Sequence, residues 1–299
     1  MSSKASATLV STIIPTMAST ERAPLLRRAI ESVRRSSVQS IDIIVVVNGN
    51  RSNAELCDWL GSQADLRVEL IPTPSLPNAI LHGRKLVDSP FFSTLDDDDE
   101  YLEGGIDLRL TSMSSDGKPD VVVTNGIRRL KKADTQCYVT LDGVSDNPLK
   151  LLFESTWLNS GNALYRSATI GPEYFSDFHQ YAEWIWLAFK LSMDGKQISA
   201  INTTTFVYYD TAGSLSKSKA YGEAYMALFQ RMLDRAPPPD VAQQIRRRMS
   251  ISWHDQSIQA QCQGKSLKAI QCHLRSLFLP GGGRYLSYSR RLFPGWPKT

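Results

Sequence analysis

The sequence predicts an α/β fold in which a mostly parallel sheet is flanked by helices and followed by a helical C-terminal extension. Short, almost wholly apolar segments alternate with helical patterns over about the first hundred residues. Such continuous apolar strands are typical of a parallel sheet that is covered on both faces. One of them, Phe91 to Leu95, runs directly into the acidic residues Asp96 to Glu100. From about Lys219 the pattern is helical, with breaks at Pro237-Pro238-Pro239 and Gly281-Gly282-Gly283.

The local pattern predicts each element in turn. Leu9 to Pro15 is expected to form a buried strand, and Pro24 fits the first turn of a helix that extends to about Arg35. Ile41 to Val47 is predicted as a second strand, because it is apolar almost throughout and precedes an Asn-Gly-Asn turn signal. The elements expected after these are a helix at 53–61, a strand at 67–71, a helix at 78–87, strands at 91–95 and 120–124, a helix at 183–193, and strands at 197–201 and 205–209.

Composition and charge limit the class of protein. The chain has 299 residues with 42% hydrophobic side chains, and no apolar run approaches the ~20 residues that a membrane-spanning helix needs. No signal-peptide pattern precedes Pro15, so we expect a cytoplasmic protein. The net charge of +4 is uneven, since Asp240 to Thr299 carries ten Lys or Arg against two Asp. This excess favours an anionic membrane surface as partner over nucleic acid, for which no binding module is recognisable.

The acidic run is the leading candidate for a binding site. Adjacent carboxylates repel one another unless a cation relieves them, and oxygen ligands favour Mg²⁺ or Mn²⁺. If the backbone stays extended, the side chains of Asp96 and Asp98 point to the same side. They would then lie at the carboxyl end of a strand, where open α/β sheets bind ligands. Taken alone, the run also fits a solvated acidic loop that precedes a helix near Glu103.

Six segments occur in the order of the motifs of family 2 glycosyltransferases with the GT-A fold, and the resemblance covers about Leu9 to Ser216. The similar segments are the first strand at Ser11 to Met17, the second strand and turn at Ile41 to Asn50, the strand and Asp-x-Asp motif at Phe91 to Tyr101, the acceptor-site floor at Asn159 to Ala163, the catalytic-base helix at Ala182 to Lys196, and the closing loop at Asp210 to Ser216.

The resemblance implies an inverting, metal-dependent enzyme of the hexosyltransferase type, with Mn²⁺ or Mg²⁺ as cofactor. The expected donor is a nucleotide-diphospho-sugar, and the expected acceptor is a glycan or lipid-linked glycan in surface polysaccharide synthesis. Glu183 is the expected catalytic base, with Asp177 and His179 as alternatives. The other expected site residues are Asp98, Asp96 and Asp210 for the metal, Pro15, Asn48, Arg84, Asp96 and Asp97 for the donor, and Trp157, Gly161, Asn162 and Trp184 for the acceptor.

The chain departs from the family pattern at three positions. Asn48 and Trp184 stand where the family has aspartates, and Thr211 stands where it has a histidine ligand. A catalytically inactive GT-A protein that acts as an assembly subunit is therefore an alternative. A nucleotide-sugar pyrophosphorylase is a second alternative, although residues 16–20 lack the glycine of a phosphate loop.

We expect residues 1–218 to form the catalytic domain and residues 219–299 to form a basic helical extension. Apolar side chains interleaved with arginines near the C-terminus predict a segment that binds the membrane surface. The glycines at 281–283 would let the last sixteen residues move independently. The alternative is that the aromatic side chains pack back on the protein and the arginines face water.

Overall fold

A computed structural model describes residues 8–115, 117–130, 133–210 and 219–292. The chain divides into two compact units, Met1–Ser214 and Leu215–Thr299. Within the described ranges the first unit is built on a nine-stranded mixed sheet, and the second unit is helical. The predicted α/β class and the helical C-terminal extension are therefore confirmed.

One half of the sheet is parallel. Its strands have the spatial order β3-β2-β1-β4 and alternate along the chain with three helices. The elements are β1 (Val10–Thr16), α1 (Ala23–Arg35), β2 (Ile41–Asn48), α2 (Ala54–Gly61), β3 (Leu66–Ile71), α3 (Leu76–Lys85) and β4 (Phe91–Thr94). They agree with the predicted elements to within a few residues. Because the strands are parallel, their carboxyl ends lie at one edge of the sheet.

The other half of the sheet is mixed and continues the order as β4-β8-β6-β9-β5, with β7 paired to β6. Its elements are β5 (Glu100–Tyr101), α4 (Gly105–Met113), β6 (Val121–Arg129), β7 (Thr135–Gln136), α5 (Pro148–Leu151), β8 (Ala163–Arg166), α6 (Glu173–Ser176), α7 (Glu183–Met193) and β9 (Ile198–Tyr209). Strand β8 is antiparallel to both β4 and β6, so it reverses the strand direction inside the sheet.

The prediction of separate strands at 197–201 and 205–209 was wrong, because β9 is continuous from Ile198 to Tyr209. The polar residues Asn202 and Thr203 are exposed within the strand. The register of β6 against β9 shifts on both sides of Asn125. The polar interruption therefore marks a bulge in the pairing rather than the end of a strand.

A buried arginine fixes the segment in front of β8. The Arg109 side chain is fully buried, and its guanidinium donates to the Thr124 and Thr205 hydroxyls at 3.1 and 2.6 Å and to the Gly161 carbonyl at 2.8 Å. Gly161 also packs against Phe206, since a Cβ atom at this glycine would lie 3.0 Å from that ring. These contacts hold the segment before β8 against β6 and β9.

The second unit consists of α8 (Lys219–Asp234), α9 (Pro239–Cys262), α10 (Ser266–Leu277) and α11 (Ser289–Leu292), with a 3₁₀ turn at Gly282–Tyr288. Helices α9 and α10 are joined by hydrogen bonds from the Ser250 hydroxyl to the Ser276 carbonyl at 2.8 Å and from the Ser257 hydroxyl to the Ala269 carbonyl at 2.7 Å. In the part of the chain that the structure describes, none of the helices combines the length and hydrophobicity required to cross a bilayer.

The prediction that the glycines at 281–283 act as a hinge was wrong for the described residues. Gly282 is packed so closely that a Cβ atom would lie 2.1 Å from the Ser276 carbonyl oxygen. The Tyr285 ring stacks on His254 with a centroid distance of 3.7 Å. Leu292 is buried with residues of α9 and α10. The segment from 282 to 292 is thus part of the helical unit, whereas Phe293, Trp296 and Lys298 lie outside the described residues.

Candidate active site

Hydrogen bonds connect the carboxyl ends of β1, β2 and β4 at one edge of the sheet. The Thr16 hydroxyl donates to Asp97 Oδ2 at 2.6 Å. The Asn48 side-chain amide donates to the Thr16 carbonyl at 2.9 Å, and Asn48 Oδ1 accepts the Ser75 N–H at 3.1 Å. Ser75 is the N-cap of α3. The acidic run, the end of β2 and the start of α3 therefore form one connected polar edge.

The acidic run forms a turn, so the expectation of an extended backbone from Asp96 to Asp98 was wrong. The Asp99 N–H donates to the Asp96 carbonyl at 3.1 Å, which closes the turn. The buried Asp99 carboxylate then accepts the Tyr209 N–H at 2.9 Å, and the Tyr209 hydroxyl donates to Glu100 at 2.6 Å. The turn is thereby anchored to the end of β9, and this long-range pairing explains why the backbone does not continue straight.

Two arginines that the sequence reasoning missed contact the acidic turn. Arg22 Nη1 lies 2.6 Å from Asp97 Oδ1 and 3.0 Å from Asp98 Oδ2. Arg28 Nη2 donates to the Asp98 carbonyl at 2.6 Å, and its Nε lies 2.8 Å from Glu100 Oε1. Both arginines lie at or in the helix that follows β1. The sequence did contain a signal for them, because five adjacent acidic residues repel one another unless cationic side chains lie nearby.

Part of the charge of the turn is left without compensation. Asp96 Oδ1 is buried and has no hydrogen-bond partner among the residues that the structure describes. Burial, reinforced by the charge of Asp98, raises the pKa of Asp96 to about 7. Burial also raises the pKa of Asp97, against the lowering effect of Arg22, and the pKa of Asp99, where the charge of Asp96 contributes. A bound cation would reverse these effects, because it favours the ionised carboxylates.

A divalent cation fits the turn at Asp96 and Asp98. It would give the buried Asp96 oxygen a partner and would offset the repulsion between the two carboxylates. No group of three or more His, Cys, Asp or Glu side chains converges as a metal site in the described ranges. Further ligands would thus come from water and from a bound phosphate, as is usual for Mg²⁺. Asp210 follows Tyr209 directly, and its Oδ1 lies 3.7 Å from Arg128 Nη2, so its predicted role as a ligand gains no support.

Glu183 is the first residue of α7 and lies in a cleft at the start of α3. Its Oε1 accepts the Tyr181 N–H at 3.0 Å, and Tyr181 has a left-handed backbone with φ of 67°. Burial raises the pKa of Glu183, while the backbone hydrogen bonds lower it. The half-buried Trp184 and the α3 residues Pro77 and Ile80 line the same cleft. Helix α3 therefore contributes to both places, because its N-cap Ser75 belongs to the polar edge described above and its residues Pro77 and Ile80 line the cleft.

The two alternative bases have other contacts. The Asp177 carboxylate lies 3.3 Å from Trp186 Nε1 and 3.7 Å from Lys190 Nζ, although Asp177 also lines the cleft. The His179 carbonyl accepts the Ala182 N–H at 3.0 Å, just before α7 begins. Asp177 and Glu183 thus line one cleft, and the role of Glu183 as base, with Asp177 and His179 as alternatives, stays a prediction.

Two predicted donor-binding residues have structural contacts. Pro15 is buried in β1 and lies opposite Val46 of β2. The buried Arg84 donates from Nη2 to the carbonyls of Ser167 at 2.8 Å and Ile170 at 2.9 Å, and its Nε also reaches Ile170 at 3.0 Å. These bonds join α3 to the segment after β8. They do not support a contact between Arg84 and a diphosphate, which stays a prediction.

The predicted acceptor residues divide into a buried floor and an accessible cleft. Trp157 is only 1% exposed, and its Nε1 donates to the Pro148 carbonyl at 2.8 Å. The fully buried Asn162 donates to the Trp157 carbonyl at 2.8 Å. Gly161 lies between them in the chain. These three residues shape the floor without offering an open aromatic face, whereas Trp184 lies on the Glu183 cleft. Their acceptor roles stay predictions, and Thr211 lies outside the described residues, as does the rest of the closing loop to Ser216.

The chain is similar to known proteins in sequence over part of its length and in fold. Residues 11–150 match the family model described as glycosyl transferase family 2. A search of curated proteins finds no match. Among solved structures, S. aureus TarS 1–349 in complex with UDP-GlcNAc is 12% identical, with a TM-score of 0.60 over 90% of this chain and 80% of that one. The complex of the same fragment with UDP is 13% identical, with a TM-score of 0.62 over 95% and 87%.

Identities this low show a shared fold and nothing further. The match of residues 11–150 is to a family model, and it spans β1, β2, β4 and the acidic turn. This part of the chain is therefore similar to glycosyl transferase family 2, and the chain has the GT-A fold.

Proposed function

We propose that this protein is an inverting glycosyltransferase that uses a nucleotide-diphospho-sugar and a divalent cation, Mn²⁺ or Mg²⁺, to glycosylate a hydroxyl group of a glycan or lipid-linked glycan. The match of residues 11–150 to glycosyl transferase family 2 supports sugar transfer in general. The observation that carries the finer proposal is the acidic turn at the carboxyl edge of the sheet, with the buried and unpartnered Asp96 Oδ1.

Asp98 and Asp96 are the residues that would hold the cation. When bound, the cation neutralises the negative charge that develops on the leaving diphosphate. Asp97 would have a structural role beside them, because its carboxylate accepts hydrogen bonds from the Thr16 hydroxyl and the Arg22 guanidinium at 2.6 Å each. The turn thus combines two carboxylates for a cation with a third that is fixed by its own partners.

Glu183 is proposed as the general base. The acceptor oxygen forms a bond to the anomeric carbon while the bond from that carbon to the diphosphate oxygen breaks. The acceptor proton passes to Glu183, and the nucleoside diphosphate leaves with the bonding electron pair. The raised pKa of Glu183 suits this role, because a base with a pKa nearer neutrality accepts a proton more readily. A single in-line displacement inverts the configuration of the sugar.

A uridine nucleotide is the first donor to test. S. aureus TarS has been solved with UDP-GlcNAc and with UDP, and this chain shares its fold. Asn48 lies at the end of β2, where the family resemblance expects a contact to the base. Its amide already binds Thr16 and Ser75, so we propose that it shapes the nucleotide pocket and that base selection rests partly on neighbouring backbone groups.

We propose that the C-terminal unit binds an anionic membrane surface from which a lipid-linked acceptor is presented. Phe278 at the end of α10 is 87% exposed and Leu267 at its start is 86% exposed. The segment from Asp240 to Thr299 has ten basic residues against two acidic ones. Apolar anchors beside cations support peripheral binding to the cytoplasmic face, where each basic residue near the surface adds ~1 kcal/mol.

A panel of nucleotide sugars, screened by thermal shift with and without Mn²⁺, tests the proposal. A donor that binds only the native state raises the melting temperature by mass action. We expect a rise with at least one nucleotide-diphospho-sugar, and a larger rise with Mn²⁺. Release of nucleoside diphosphate on addition of acceptor would exclude the inactive-subunit alternative. Absence of any shift across the panel would contradict the proposed donor site.

A further inference from the structure

Arg22 contacts Asp98, one of the two carboxylates proposed to hold the cation, and bridges it to Asp97. Its Nη1 lies 2.6 Å from Asp97 Oδ1 and 3.0 Å from Asp98 Oδ2, so a single nitrogen bridges both side chains. The Arg22 side chain is 31% exposed, whereas those of Asp97 and Asp98 are 10% and 15% exposed. The carboxylates are therefore fixed in the protein, and the guanidinium reaches them from the solvent side.

The Arg22 side chain also suits binding of an anion. Arg22 is the N-cap residue of the 13-residue helix α1, and its side chain makes no capping hydrogen bond. The Ala23 N–H donates to the Thr20 carbonyl and Pro24 has no N–H, so the guanidinium is the group at this position that can bind an anion. A guanidinium binds phosphate oxygens through parallel hydrogen bonds as readily as it binds carboxylates. Arg22 can thus turn between two anionic partners at one place.

We propose that Arg22 binds the diphosphate of the donor, and that it pairs with the carboxylates of the acidic turn when no donor is bound. Without donor, Arg22 acts as the counter-cation of Asp97 and Asp98 and competes with the divalent cation for Asp98. With donor and cation present, Asp98 has a new partner and the Arg22 guanidinium contacts the diphosphate. This inference rests on the proposed function, and it assigns to Arg22 the contact that sequence reasoning gave to Arg84.

If Arg22 exchanges its carboxylate partners for the diphosphate, Arg22→Gln should change the affinity for Mn²⁺ and the affinity for UDP in opposite directions. Removing the competing guanidinium should tighten binding of Mn²⁺ alone by about tenfold, or ~1.4 kcal/mol, because Asp98 no longer has to give up a charged hydrogen-bond partner. The same variant at saturating Mn²⁺ should bind UDP about tenfold more weakly, because the diphosphate loses a charged partner. A residue that only stabilised the fold would weaken both.

The measurements are Mn²⁺ titration of the full chain without nucleotide, followed by UDP titration at saturating Mn²⁺. Arg34→Gln is the matched control, because Arg34 lies on the same helix and pairs with Asp65 at 2.8 Å, and it should change neither affinity. Arg22→Lys keeps the charge and should bind Mn²⁺ with nearly wild-type affinity, while circular dichroism verifies that each variant is folded.

If the wild-type protein binds UDP and Arg22→Gln binds Mn²⁺ with an affinity within twofold of wild type, the proposed exchange of partners is overturned and the proposed function still stands. A wild-type protein that binds neither Mn²⁺ nor UDP would instead refute the donor site itself, and the exchange with it.

Discussion

Replacing Asn48 by the aspartate that the family usually carries should destabilise this protein. The Asn48 amide donates to the Thr16 carbonyl at 2.9 Å and accepts the Ser75 N–H at 3.1 Å, and the residue is 6% exposed. An ionised aspartate can accept from Ser75 but cannot donate to Thr16. Asn48→Asp therefore leaves a buried carbonyl facing a carboxylate at the centre of the polar edge.

A buried polar group that loses its partner costs about 1–3 kcal/mol, so we expect a loss of about 2 kcal/mol in the free energy of unfolding. For a domain of 150–250 residues each kcal/mol shifts the melting temperature by roughly 2–4 °C, so the melting temperature should fall by roughly 4–8 °C. Lower pH should restore part of the loss, because a protonated carboxyl group can again donate to Thr16.

Urea denaturation and thermal melting of both proteins at several pH values measure this effect. Asn53→Asp is the matched control, because Asn53 caps α2 with its Oδ1 on the Leu56 N–H at 2.8 Å, and Asp caps a helix as well as Asn. The control should stay within about 0.5 kcal/mol of wild type. If the Asn48→Asp protein is as stable as the control at neutral pH, the hydrogen bond from Asn48 to the Thr16 carbonyl does not stabilise the fold as argued.

Three further predictions concern other parts of the molecule. Glu183→Gln should lower sugar transfer by about 10²–10⁴-fold with UDP affinity unchanged, and near-normal turnover would assign the base to another residue. Burial lowers the pKa values of His254 and His273, so the neutral rings favour the folded state, and stability of the C-terminal unit should fall as the pH drops below about 6.5. A variant with Gln at both positions should lose less stability between pH 7.5 and 5.5, and an equal loss would contradict the assignment. Phe278→Glu should reduce sedimentation of the protein with anionic vesicles at low salt. Val139→Glu is the control, because Val139 is 96% exposed in the other unit, and it should not reduce sedimentation. Equal sedimentation of the two variants would exclude Phe278 as an anchor.

The sequence was sufficient for the parallel half of the fold. Continuous apolar strands such as Ile41–Asn48 can be recognised without tertiary information, because both faces are buried. The length of β9 could not be read in this way, since its exposed Asn202 and Thr203 resemble a loop. Only the register of β6 shows that the strand continues through a bulge.

The candidate site was predictable in its composition and not in its geometry. The acidic run indicated where charge is concentrated, but its turn depends on the bond between Asp99 and Tyr209, which are far apart in the chain. The pairing of Arg22 with Asp97 is long-range for the same reason. Trp157 fits an acceptor motif by its position, and only the structure shows that its ring is buried.

The most direct test of the proposed function is the affinity for UDP with and without Mn²⁺, measured by isothermal titration on wild type and Asp98→Ala. The Asp98 carboxylate contacts Arg22 at 3.0 Å and belongs to a turn crowded with like charge, so its removal should leave the fold intact. Asp65→Ala, which removes an exposed partner of Arg34, is the control. We expect wild type and control to bind UDP in a Mn²⁺-dependent manner and Asp98→Ala to lose that dependence. Equal Mn²⁺-dependent affinity in Asp98→Ala and wild type would contradict the assignment of the acidic turn as the cation and donor site.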